Sequence, residues 1–422
     1  MTSTASSEDL IARSVDREFD SECAFLAEMV RIPTDNPPGN CEAHAHKARE
    51  LLQGLGFEVE SHPVPADAVR AAGMVSATNL IVRKRFGSGG LCIALNAHGD
   101  VVPPGLGWTQ DPYGAAVIND PVHGPTMYGR GVAVSKSDFA TYTYALRALE
   151  QLAASGHKLN GSVELHLTYD EEVGGDIGPR WLIEQGLTKP DFALSAGFSY
   201  AVTTAHNGCL HLEVTVRGRQ GHAAMPESGI DALAATTRIL QALYDSREAL
   251  KARHSSTKGI DHPTLNVGLI EGGINTNVVP DRITFRLDRR IIPEESPAEA
   301  EAQTRELIER TAAASPGIKV EIRRVLLALP LVRLPGAERL ITALQRNGKK
   351  FFGVDIAEHG VPLYTDARHY TAVGIPTVLY GAGPRTLADA RGHAADECLR
   401  LNDLRNATKT VACTLAELLS PV

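Results

Sequence analysis

The feature that most limits how this chain can fold is a strand-length apolar run, Leu91 to Ala97 (LCIALNA), followed at once by polar residues and then by segments with helical spacing. A run of that length without polar alternation reads as a strand buried on both faces. Ser137 to Ser155 reads as a helix packed behind it, Val163 to Tyr169 as the next strand, and Ile177 to Gln185 as another helix. Alternation of this kind predicts an α/β domain with a mostly parallel sheet. Such sheets bind ligands at the carboxyl ends of their strands, so polar motifs directly after a strand are the first candidates for chemistry.

From about Gly208 the pattern changes to a strand (HLEVTVRG), a helix (Gly229 to Ala249), two strands (TLNVGLIEGG and DRITFRLDRRI) and a helix (Ala298 to Ala314), an α+β insertion. After Lys319 come a strand, a helix from Ala337 to Gln345, the strand IPTVLYG and a last helix from Leu401 to Leu419, which reads as a return to the first domain. The expected organisation is a catalytic domain made of residues 1–208 and 326–422, interrupted by an inserted domain at 209–325. A length of 422 residues with 43% hydrophobic content also exceeds what one core usually holds.

The net charge of -8, with no long basic run, argues against a nucleic-acid partner. Six cysteines lie scattered without C-x-x-C spacing, as expected for reduced thiols in the cytoplasm. The polar, acidic opening residues MTSTASSEDLIARSVDREFD and the lack of a long apolar run predict neither export nor membrane insertion.

Three motifs could carry chemistry. His98-Gly-Asp100 follows the strand LCIALNA, and a His with a nearby carboxylate suits a metal ligand with an orienting partner; a polar turn would read the same way. Asp170-Glu171-Glu172 closes the next strand, where adjacent carboxylates repel unless a cation or proton relieves them; the bland alternative is a solvated helix start. Gly392-His393-Ala-Ala-Asp396-Glu397 stands before the final helix. The loop from Pro103 to Gly131 is rich in Gly and Pro, and its Trp108 and Tyr113 suit either ring stacking or loop anchoring.

Taken in order, with GWTQDPYG, MYGRG, GRQGHAAMPESGIDA, NTNVVPD, DRRIIP and YTDARHY between them, these motifs make the chain similar to the aminoacylase, acetylornithine deacetylase and glutamate carboxypeptidase metallohydrolase family over roughly residues 20 to 420. The resemblance implies an inserted dimerisation or lid domain and a homodimer or higher homo-oligomer. It implies that His98, Glu172 and His393 are metal ligands, that Glu171 is the base acting on water, and that Asp100 orients His98. His222, Asn277 and Arg290 would contact the carboxylate of a small substrate or the developing oxyanion.

Two positions depart from the family pattern. The carboxylate that bridges two metals falls at Val134 in GRGVAVSK, and another metal-binding carboxylate falls at Gly197 in SAGFSY. Without them, one divalent transition metal per subunit is expected, manganese or zinc, with cobalt or iron as alternatives. Asp138, Asp176, His206, Asp366 and His369 are the available replacement ligands. Ser135 reads as a filler. The expected function is metal-dependent hydrolysis of a C–N bond. The most specific candidate is deamination of 5-nitroanthranilate to 5-nitrosalicylate and ammonia, whose substrate carboxylate and amine would complete the ligand set. The alternatives are an N-acyl amino acid amidohydrolase or dipeptidase, and a catalytically dead protein that binds a small carboxylate.

Overall fold

The computed structural model describes residues 6–421, which divide into two compact units. The first comprises residues up to Thr204, Arg333–His359 and Thr365 onward; the second comprises Ala205–Val332 and Gly360–Tyr364. The second unit extends a few residues beyond the expected 209–325 at each end, because Leu331 returns to pair with His206.

The first unit is built on a sheet whose strands run, edge to edge, Val59–Pro63, Thr78–Phe86, Gly161–Thr168, Leu91–His98, Phe192–Ser195, Thr377–Leu379, Ala201–His206 and Ala357–Val361. Leu91–His98 pairs in parallel with both neighbours, and Phe192–Ser195 pairs in parallel with Thr377–Leu379. The pairings of Thr78–Phe86 are antiparallel. The apolar run is buried as its composition demands: Ile93, Ala94, Leu95 and Ala97 are almost fully covered. The register pairs His98 with Thr168, so the motifs after these two strands emerge side by side.

Helix Lys136–Ala154 packs between helices Ser7–Val30 and Leu401–Leu418. The first helix begins on the Ser6 hydroxyl, which accepts from the Asp9 amide, and buries Ile11, Val15, Phe19, Leu26 and Met29. The Gly- and Pro-rich segment is not wholly loop. It contains the antiparallel pair Ala116–Asp120 and Gly124–Tyr128, joined by Cys398–Arg400. No helix among the described residues is long and apolar enough to cross a membrane.

The second unit is an antiparallel sheet in the order Thr264–Gly272, Arg282–Ile291, Gly208–Arg217, Lys319–Ala328. Its alternating Leu210, Leu212, Val214 and Val216 share a core with Ile239, Leu243 and Ile308 of helices Ala232–Leu250 and Pro297–Ala313. The other face of Gly208–Arg217 carries Cys209, His211 and Glu213, as period-two alternation requires. Asp231 caps the first of these helices by accepting from the Ala234 amide at 2.9 Å. Asp231→Ala is expected to destabilise this unit by about 1 kcal/mol, read as a lower denaturant midpoint. An unchanged midpoint would show that the cap bond contributes nothing.

Candidate active site

The loop after Leu91–His98 is held by short polar contacts. The Ser135 hydroxyl accepts from the His98 amide at 3.2 Å and donates to the His98 carbonyl at 3.3 Å, so Ser135 fixes the strand end rather than filling space. Thr34 donates to the Gly99 carbonyl. A Cβ at Gly99 would lie 2.6 Å from the Tyr169 ring, which explains why His98 and Asp100 are separated by glycine.

The carboxylate of Asp100 is fully buried and accepts from the amides of Glu171 and Glu172, each at 3.2 Å, and from Asn36 at 3.0 Å. It thereby sets the start of the short 3-10 turn Glu171–Val173. His98 Nδ1 lies 3.0 Å from the Asp100 carbonyl and 3.4 Å from its carboxylate, leaving Nε2 3.9 Å from Glu171. Ligand atoms of His98, Glu171 and Glu172 lie within 4.8 Å of one another. His393, half-exposed, lies 3.3 Å from Glu172 through Nε2.

Sequence reasoning named Asp366 only among several replacement ligands; the structure places it near enough for its charge to act on Glu171 and to be acted on by His98. Its carboxyl is buried, receives a long contact from Thr168 through one oxygen, and has no hydrogen-bond partner on the other. Gly175, at φ +68°, allows the approach, since a Cβ there would lie 2.2 Å from Asp366 Oδ1. Arg368 and His369 both bond the Gly174 carbonyl, the latter at 3.1 Å, so His369 holds the acidic turn in place. The other candidates are placed elsewhere. Asp176 forms a surface ion pair with Arg180. His206 lies in the second unit and contacts the Asn207 carbonyl and the Leu331 amide. Asp138 is buried and accepts from the Ala382 amide.

The electrostatics follow from so many acids in a dry pocket. Burial pushes Glu171 well above the usual carboxylate range; His98 opposes this, while Glu172, Asp366 and Asp100 add to it. Burial likewise pushes Asp366 up to about 6, against the pull of His98 and Arg368. Burial disfavours the charged form of His98, but Glu171, Asp100 and Glu172 outweigh it and hold the ring well above its ordinary value. Glu172 raises His393.

At the two departures from the pattern, no carboxylate returns. Val134 is partly buried against the main core. Its amide, with that of Ala133, donates to Glu397, whose other oxygen accepts from Arg130 at 2.7 Å. At Gly197 a Cβ would lie 2.9 Å from both Leu379 Cβ and the Tyr380 amide nitrogen, so the backbone closes over the position where a side-chain ligand was expected. Asp396 accepts from the Thr109 and Gln110 amides. Trp108 donates to the Pro104 carbonyl and lies under Arg130, and Tyr113 donates to Asp35. Both rings are therefore loop anchors.

In the second unit, His222 and Asn277 lie on adjoining loops, linked by the Ala223 amide donating to the Asn277 carbonyl at 3.1 Å. Arg290 pairs with Asp288 at 3.0 Å and lies over the Tyr364 ring.

A buried imidazole, several carboxylates and an unpartnered buried oxygen make a donor set that fits a divalent cation. The family model described as Peptidase family M20/M25/M40 matches residues 94–417. The chain belongs to this family. Among relatives of this M20-family chain, an acetylornithine deacetylase of Myxococcus xanthus is 27% identical over 396 residues, 93% of this chain and 96% of that one. A succinyl-diaminopimelate desuccinylase of Gluconobacter oxydans is 34% identical over 255 residues, 57% of this chain and 60% of that one. Among solved structures, the dipeptidase Dug1p of Saccharomyces cerevisiae superposes with a TM-score of 0.76 at 16% identity, covering 99% of this chain and 100% of that one. The M20-family chain is thus a metal-dependent hydrolase of C–N bonds with a mixed α/β fold.

Proposed function

We propose that this chain hydrolyses the amide bond of a small N-acylated amino acid or dipeptide, using a site with a single divalent metal, manganese or zinc. The convergence of His98, Glu171 and Glu172 at the carboxyl ends of two paired parallel strands, with the buried Asp366 acting on them electrostatically, carries this reading. His98 and Glu172 would hold the metal, with His393 beside Glu172 and the unpartnered Asp366 oxygen as a further donor. When bound, the cation supplies Lewis acidity, which acidifies water and polarises the bond under attack.

Glu171 takes the proton from the attacking water and returns it to the departing nitrogen. Its raised proton affinity suits both halves of that task. Asp100 orients the Glu171 and Glu172 backbone, so the base and its neighbour share one anchor. We assign recognition of the substrate carboxylate to His222, Asn277 and Arg290, and homodimer formation to the second unit, whose edge strand exposes Leu269 and Ile270.

A second reading is favoured by one observation, the missing carboxylate at Val134 together with the closed backbone at Gly197. A metal short of protein ligands accepts a chelating substrate, and an aromatic amine beside a carboxylate, as in 5-nitroanthranilate, is such a chelator. Incubation with N-acetyl amino acids, dipeptides and 5-nitroanthranilate separates the two. Release of acetate or free amino acids supports the amidohydrolase, while ammonia from the aromatic amine alone would replace it. Turnover of none of them under any metal would favour a binding protein.

Metal removal tests the site without reference to activity. A cation at one hundred times its dissociation constant stabilises the fold by about 2.7 kcal/mol, so chelation is expected to lower the thermal midpoint by several degrees and re-addition to restore it. A midpoint indifferent to metal would sink the assignment of ligands.

A further inference from the structure

The face of the second unit's sheet that lies away from its two helices carries a cluster that the hydrolytic site does not use. Cys209 and His211 lie two residues apart on Gly208–Arg217, hence on one face, and the register places Asp288 directly opposite His211. Three donor atoms of different kinds converge there. Cys209 Sγ is 3.2 Å from His211 Nε2, His211 Nε2 is 2.9 Å from Asp288 Oδ2, and Sγ is 3.6 Å from the same oxygen.

From this triangle we propose that Cys209, His211 and Asp288 form a second metal site, for a borderline cation such as zinc. Zinc bonds of about 2.3 Å to sulfur and about 2.0 to 2.1 Å to nitrogen or oxygen give tetrahedral donor separations of roughly 3.3 to 3.6 Å; the Sγ–Oδ2 separation of 3.6 Å matches, and the two shorter hydrogen-bond separations to His211 would open by a few tenths of an ångström around a cation. One nitrogen of His211 faces both other donors, which suits a shared cation better than a proton relay, because a relay would use both ring nitrogens. A thiolate and a carboxylate neutralise the dication. Arg290 Nε occupies the other oxygen of Asp288 at 3.0 Å, orienting the carboxylate as outer partners of metal ligands do. Cys209 is buried while His211 and Asp288 are partly exposed, leaving a fourth position for water.

Cobalt titration of the full chain reads this site separately, because sulfur ligation gives a charge-transfer band in the near ultraviolet. The hydrolytic site contains no cysteine, and Cys209 is the one cysteine in a metal-competent group among the described residues. The expected result is a saturable band in the wild type that is absent in Cys209→Ser, is displaced by zinc, and needs at least about tenfold more cobalt in Asp288→Asn, since losing a ligand costs no less than losing a ligand's outer partner. No band in the wild type, or a band that survives in folded Cys209→Ser, would overturn the proposal. Circular dichroism establishes the fold of each variant, and should Cys209→Ser not fold, His211→Gln serves with the same two outcomes.

Discussion

Glu171→Gln is expected to reduce kcat on whichever C–N substrate is turned over by about 10² to 10⁴-fold, the range for a positioned general base, without lowering the thermal midpoint. The second half follows from the charge balance. Glu171 is buried, and Glu172, Asp366 and Asp100 add to that penalty against the pull of His98, so a neutral side chain there escapes a net cost in the metal-free protein. Steady-state kinetics and a melting curve on the same preparation check both. Activity within threefold of the wild type would remove Glu171 from the role of base and shift attention to Asp366, a neighbouring acid whose proton affinity burial also raises. Loss of activity with a collapsed midpoint would mean the residue holds the turn rather than moves a proton.

Arg130→Met should destabilise the first unit by about 3 to 5 kcal/mol, the usual penalty for stranding one partner of a buried ion pair. Arg130 and Glu397 meet at 2.7 Å, with about 1% of each side chain exposed. Burial already raises the proton affinity of Glu397, against the Ala133 amide and Arg130. Without the guanidinium that affinity rises further in the folded state only. A carboxyl that binds its proton more tightly in the folded chain penalises folding above its unfolded pKa of about 4.3. The deficit should therefore be largest near neutral pH and shrink as pH falls toward 5. Denaturant unfolding at several pH values tests the sign; a deficit that grows in acid would show that Glu397 is not the group left exposed to the penalty. Arg130→Met with Glu397→Leu should recover much of the loss, because the pair is removed together.

How far the sequence foretells this molecule depends on the range of the interactions involved. The run LCIALNA is locally sufficient to specify a buried strand, and His98, Glu171 and Glu172 follow strands directly, so their meeting needs only parallel pairing of two neighbours. The helix Ser7–Val30 was masked by its polar opening residues, although Ile11, Val15, Phe19 and Leu26 carry the helical spacing. Asp366 is harder. YTDARHY is visible as a motif, but only the tertiary approach permitted by Gly175 distinguishes its acid from Asp138 or Asp176. Arg130 and Glu397 look like surface charges until the fold buries them together, and no local pattern announces a pair so far apart along the chain. The same limit applied to Trp108, whose ring suits a ligand as well as it suits the Pro104 carbonyl and Arg130.

The short stretch His393 to Glu397 gathers contacts from distant loops: Asp396 reaches Thr109 across 287 positions, and Glu397 reaches Ala133 across 264. Contacts of such sequence separation form late and slowly. On the ribosome, the loops of 107–114 and 129–134 therefore wait for the acids that clasp them until residue 397 has cleared the exit tunnel. An emerging chain thus carries the strand Leu91–His98 and the acidic turn well before the contacts that fasten these two loops can form.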